Sequence, residues 1–156
     1  MKKIILAVAL SGLFLTSAAQ AATDTATMAV SATVSGTCKI TTNSTPMAFG
    51  PIDPSTVSVA PTATSTFSYK CTTGKSPTAL TDDKGANEVG VQMRMASGGN
   101  FLNYGIAYTA TLAAGTGFGS GSTATTITVN GTIPLNDAQN AVAATYGDSV
   151  IFTLTF

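Results

Sequence analysis

The stretch SVIFTLTF, Ser149–Phe156, closes the sequence. Val150, Phe152, Leu154 and Phe156 alternate there with Ser149, Ile151, Thr153 and Thr155. Successive side chains of a strand point to opposite faces, so this period of two reads as a half-buried β-strand. Its β-branched and aromatic residues suit a pleated surface. The apolar face runs on to Phe156 with no polar residue after it. Terminal residues fray unless something ties them down. The pattern therefore asks what this strand packs against.

Working back along the chain, the same alternation recurs in short runs. Thr64–Thr72 holds Phe67, Tyr69 and Cys71, and Val89–Met95 aligns Val89, Val91, Met93 and Met95. Phe101–Leu112 carries Leu102, Tyr104, Ile106 and Tyr108, and Ala124–Ile133 carries Ile127, Val129 and Ile133. The final strand is expected from about Thr145. Turn-forming clusters lie between the runs: Gly50-Pro51, Asp53-Pro54, Gly74–Pro77, Asp82–Asn87, Gly98-Gly99-Asn100 and Gly115–Ser122. Asn136–Thr145, with Asp137 as cap, is the one weak helical candidate. Short strands at this spacing predict an all-β antiparallel sandwich in a single domain.

At the other end, Lys2 and Lys3 precede the apolar run Ile4–Thr16 and the small-residue triplet Ala19-Gln20-Ala21. That is the pattern of a secretory signal peptide, with Ala22 as the mature N-terminus. The apolar run falls short of the ~20 residues that a membrane span requires. In an exported chain, two cysteines outside a C-x-x-C arrangement imply an oxidised pair, here Cys38 and Cys71. Closing a loop of that length stabilises a fold by roughly 3–4 kcal/mol in the chain-entropy model.

Composition excludes several functions. Basic and acidic residues number seven each, two of the lysines stand at positions 2 and 3, and nothing forms a basic stripe. Nucleic acid is not an expected partner, and no basic amphipathic helix points to a membrane surface. The chain contains no histidine. Asp82 and Asp83 are adjacent, in a turn-like run with Lys84 and Gly85, and read as a solvated turn rather than an acid–base pair. The Gly115–Gly121 loop lacks G-x-G-x-x-G spacing and reads as a hairpin connection rather than a phosphate cradle. No metal-ligand cluster is apparent. The expectation is a protein that is not an enzyme, with no catalytic residue, cofactor, metal or small-molecule substrate. Only 9% of residues are charged, few for a free monomer's surface, which suggests that much of that surface meets other protein.

One run does not fit an ordinary core strand. In DTATMAVSATV, Asp24–Val34, one face carries Ala26, Met28, Val30, Ala32 and Val34. Counted through to Cys38, the run is long against the usual ~5–6 residues of a strand. Alternation of small and medium side chains suits insertion between existing strands.

Several short motifs then follow one another in a specific order. They are Thr37-Cys38, Met47-Ala48-Phe49-Gly50-Pro51-Ile52 with Asp53-Pro54, Tyr69–Gly74, Arg94–Tyr104, Asn130-Gly131-Thr132-Ile133-Pro134 and Tyr146-Gly147-Asp148-Ser149-Val150. Together they resemble the spore coat protein U domain family, which includes pilins of the archaic chaperone–usher pathway. The resemblance covers essentially the whole chain after the leader. It departs between Thr72 and Ser122, where Ser76–Leu80 makes a weak strand.

The resemblance implies an incomplete immunoglobulin-like sandwich that lacks its final strand and is completed by donor-strand insertion. The expected organisation is a signal peptide over 1–21, a donor segment over 22–34 and a pilin domain over 35–156. Ala26, Met28, Val30 and Ala32 would be the inserting side chains. Val150, Phe152, Leu154 and Phe156 would line one wall of the acceptor groove, and Cys38–Cys71 would tie the first two core strands. The implied function is a structural subunit of a surface pilus, with a role in adhesion and biofilm formation. Its partners would be copies of itself or related pilins, joined head to tail, a periplasmic chaperone and an outer-membrane usher. Export would run through the periplasm to the cell surface. Two other readings share the resemblance: a secreted coat or matrix protein that no usher assembles, and a minor or tip adhesive subunit, which normally adds a second domain.

Overall fold

The computed structural model describes residues 21–109 and 111–156, so all of the expected signal peptide except Ala21 lies outside the described residues. The chain divides after Thr33 into two units. In the first, the described residues 21–33 contain no strand and are exposed throughout.

The second unit, Val34–Phe156, holds β1 (Cys38–Thr42), β2 (Thr62–Cys71), β3 (Ala79–Asp82), β4 (Met93–Ser97), β5 (Asn100–Tyr108), β6 (Thr125–Thr132), a short helix α1 (Leu135–Gln139) and β7 (Phe152–Thr155). One sheet has the order β1-β2-β6-β5-β4, and a second pairs β3 with β7. Every strand pairing is antiparallel.

Alternation drives the central pair. Ser65, Phe67, Tyr69 and Cys71 of β2 are buried while their neighbours are not, and Ile127 and Val129 of β6 follow the same rule. The register sets Phe67 opposite Ile127 and Ser65 opposite Val129, so the two apolar rows meet on one face. They form a first core with Cys38 and Cys71. A second core gathers Met93, Leu102, Tyr104, Ile133 and Ala138. Each fully buried side chain such as Ile127 or Ile133 stabilises the fold by about 1.5–3 kcal/mol.

The disulfide joins Cys38 to Cys71, which are directly paired across β1 and β2. The glycine-rich loop connects the antiparallel pair β5 and β6, as expected of a hairpin connection, and is docked beside the disulfide. The Gly115 amide donates to the Lys75 carbonyl, and Gly115 accepts from Gly74, both at 2.9 Å. A Cβ on Gly115 would collide with the Cys71 carbonyl, so glycine is needed there for close approach.

Several expected boundaries move. No strand forms in the alternating run Asp24–Val34, and pairing starts at Cys38. Within Val89–Met95, only Met93 and Met95 turn inward, while Val91 is 89% exposed in a tight turn about Gly90. The last strand is shorter than expected, because the chain before Phe152 makes isolated and irregular bonds instead of a regular ladder. Strand β3 forms in a weak stretch because β7 supplies its ladder partner. The helix ends at Gln139, earlier than expected. Its N-cap is Pro134 with no side-chain cap bond, and Asp137 stands in the first turn.

Candidate functional site

A cleft lies beside the last strand, and its first wall is built by residues 44–52. Thr45 anchors this segment to β2: its amide donates to the Thr66 carbonyl at 3.0 Å, and its hydroxyl accepts from the Thr66 amide at 3.0 Å. Met47 and Phe49, two residues apart, then fold down over Gly131 of β6. A Cβ at Gly131 would collide with Met47 Sδ and come within 2.9 Å of Phe49 Cζ. Gly131 thus makes room for both apolar side chains. Ile52 continues the row against the second core.

The opposite wall is Tyr146–Phe152. Asp83 donates its amide to the Ile151 carbonyl at 3.1 Å, and the register pairs Thr81 with Thr153 and Ala79 with Thr155. In an antiparallel ladder, bonded and unbonded pairs alternate. From Ser149 onward the odd-numbered residues therefore bond toward β3 and the residues just after it. The N–H and C=O groups of Val150, Phe152 and Leu154 point the other way, along the free edge. Among the described residues, β3 is the only strand neighbour of β7. A row of unpaired backbone groups beside apolar side chains is a template for another strand.

A cleft of about 300 Å³ runs between these walls, and a second of about 680 Å³, bounded by residues 141–146 rather than by the last strand, shares Met47, Phe49, Met95 and Tyr146 with it. Tyr104, Ile106 and Val129 floor the smaller cleft, and Leu102 and Ile133 floor the larger. Val150 and Phe152 line the smaller cleft. Leu154 is half-buried against the first core, opposite Leu80, and Phe156 is 46% exposed. The Phe152 ring lies 5.0 Å from that of Phe67 and meets Tyr108 edge-on at 5.4 Å. In the N-terminal unit, Ala26, Met28, Val30 and Ala32 are all exposed, Met28 and Val30 at 82% each.

Sequence reasoning missed Met47, Phe49, Tyr104, Tyr146 and Asp148 as lining residues. Alternation over Met47-Ala48-Phe49 was a usable signal for two of them. Nothing local marks Tyr104 or Asp148, because they meet across 44 residues.

Polar groups brace the two sheets. Tyr104 donates to Asp148 Oδ2 at 2.7 Å and Tyr108 to Asp82 Oδ2 at 2.8 Å. Burial and the accepting carboxylate raise both phenols, Tyr108 to about 12 and Tyr104 further. Asp82 is a correction to the solvated-turn reading, while Asp83 stays exposed as that reading expects. The Asp82 side chain is 5% exposed and pairs with Lys84 Nζ at 3.0 Å. Burial opposes its ionisation, but the bonds from Lys84 and Tyr108 outweigh burial and hold its carboxyl below the usual range. Asp83 accepts the amides of Ile151 and Gly85, at 2.9 and 3.0 Å, and is lowered by them. Among the described residues no group of three or more potential ligands could hold a metal ion, and no helix is long and apolar enough to cross a membrane.

These features define an all-β protein with an immunoglobulin-like arrangement of two sheets and one strand edge left open along a cleft. The sequence matches the Spore Coat Protein U domain over residues 24–153, and the chain belongs to that family. The fold is similar to a chain in the crystal structure of the CsuC–CsuE chaperone–tip adhesion subunit pre-assembly complex from archaic chaperone–usher Csu pili of Acinetobacter baumannii. That likeness has a TM-score of 0.53 and 19% identity, and it covers 80% of this chain and 40% of that longer chain. No curated protein matches the sequence.

Proposed function

We propose that this chain is a structural subunit of a chaperone–usher surface pilus and polymerises by donor-strand complementation. The observation that carries the reading is the free edge of β7, with its outward-facing amides beside a cleft that Val129, Val150 and Phe152 line. Strand addition to such an edge draws affinity from main-chain bonds and specificity from alternating side-chain pockets. Residues 22–34 are the donor, with Ala26, Met28, Val30 and Ala32 entering the cleft of another copy. Val150 and Phe152 receive them, and Leu154 and Phe156 extend the same edge. Donor and acceptor surfaces differ, so the contact is head-to-tail and generates an open filament. Before assembly, a periplasmic chaperone strand covers the edge, and an outer-membrane usher exchanges it for the donor. The filament serves adhesion and biofilm formation at the cell surface.

Deleting Ala22–Ala32 tests the reading. The expected outcome is an exported, chaperone-bound subunit and no oligomer ladder in surface extracts. Val30→Asp should do the same more weakly, since it brings an unpaired charge against Val150 and Phe152 in a cleft that Asp148 also lines. Fibres from the deletion variant would overturn the donor assignment. A secreted protein that forms no ladder even in the wild type would favour the coat-protein reading.

A further inference from the structure

The wall of the cleft changes sheets at one residue. Gly147 exchanges two backbone bonds with Ala96 of β4, at 2.9 and 3.0 Å, and so belongs to the edge of the five-stranded sheet. Ser149 accepts from the Ala86 amide at 3.2 Å, just past β3 of the second sheet. Asp148 stands between them, and its carboxylate bonds to both sides. Oδ2 accepts from the Tyr104 hydroxyl of the cleft floor at 2.7 Å, and Oδ1 accepts from the Ala86 amide and Asn87 Nδ2 at 3.0 Å each. Gly85 packs so closely that a Cβ there would collide with Oδ2.

Beyond this point β7 has no ladder partner on its cleft side. The angle at which the wall leaves the floor is therefore not set by backbone pairing on that side. From the Tyr104–Asp148 bond at the changeover we infer that these two are positioning residues of the cleft, fixing how far the Val150–Phe152 wall stands from its floor. The inference rests on the reading that the cleft accepts a strand. Charge-assisted bonds of this kind are short and strong, and a satisfied, half-buried network stiffens what it joins. A wall held at one distance meets an incoming strand already spaced for it, which lowers the ordering cost of binding.

The test uses the mature full-length chain with Tyr104→Phe, Asp148→Ala and the double variant, against Ile127→Val as a stability control. Ile127 is fully buried in the first core and lines neither cleft. One readout is amide exchange at Ala96 and Gly147, corrected for global stability. The other is the dissociation rate of a synthetic peptide of residues 22–34. Tyr104→Phe and Asp148→Ala should each speed exchange and peptide release about tenfold relative to Ile127→Val. The double variant should match Asp148→Ala within about twofold, because Asp148→Ala already removes the one bond that Tyr104→Phe breaks. Exchange no faster than in Ile127→Val overturns the inference, as does equal peptide release in the control. If Asp148→Ala does not fold, Tyr104→Phe, which removes one hydroxyl, decides alone. If the wild type does not bind the peptide, the strand-accepting reading fails, while the exchange rates still decide the role of Asp148.

Discussion

Strands β6 and β7 share one sequence pattern and have opposite surroundings. β6 lies between β2 and β5, and its inward residues Ile127 and Val129 are 1% and 2% exposed. β7 has β3 on one side and a cleft on the other, and its inward residues Phe152 and Leu154 are only half-buried. Alternation states which face of a strand is apolar. It does not state whether anything covers that face. The difference between the strands is one neighbour, and the proposed function consists of supplying it.

Substitutions at the two strands should separate folding from assembly. Ile127→Ala empties a filled core site and should destabilise the isolated subunit by about 2–5 kcal/mol, read by urea unfolding. Phe152→Ala should cost roughly half as much in the isolated subunit, because its ring is already partly uncovered. In fibres the order should invert, with Phe152→Ala reducing oligomer yield more than its stability loss explains. Equal effects on yield at matched stability would remove the distinction between the strands.

Gly131 links the strands, since it sits in β6 and seats the far wall of the cleft. Gly131→Ala should displace Met47 and Phe49, cost about 1–3 kcal/mol by overpacking, and weaken binding of the 22–34 peptide. A stable variant that binds the peptide normally would show that this wall is not part of the acceptor.

The smallest expected effects are those of pH. Asp82 and Asp83 are held below the ordinary carboxylate value of 3.8 when folded. Their contribution is present above that value and is lost as pH falls through the folded value, so stability should stay level near neutrality and decline below about pH 4. Tyr108 moves the opposite way, from 10.0 to about 12. Its contribution is intact below pH 10 and is lost as pH rises toward 12. Thermal melts at increasing pH should fall across that alkaline window, and Tyr108→Phe should flatten the fall. An unchanged alkaline slope in Tyr108→Phe would assign the loss to Tyr104 or elsewhere.

The amino-acid sequence by itself determined the all-β class, the strands around Phe67, Tyr104 and Ile127, and the pairing of Cys38 with Cys71. Those follow from side-chain period and cysteine count, which are properties of neighbours along the chain or of the whole composition. The tertiary structure alone decided that weak Ala79–Asp82 becomes a strand, that Met47 and Phe49 lie over Gly131, and that Asp148 meets Tyr104. It also turned Asp82 from a solvated-turn residue into a side-chain brace between β3 and Tyr108, and showed that the exposed Asp83 carboxylate accepts the Ile151 amide. Each of these is a contact between residues far apart in sequence, and its energy depends on a partner that no local pattern names. The same reason explains the open edge. SVIFTLTF announces an apolar face, but whether a neighbour lies beside it is a fact about the rest of the fold.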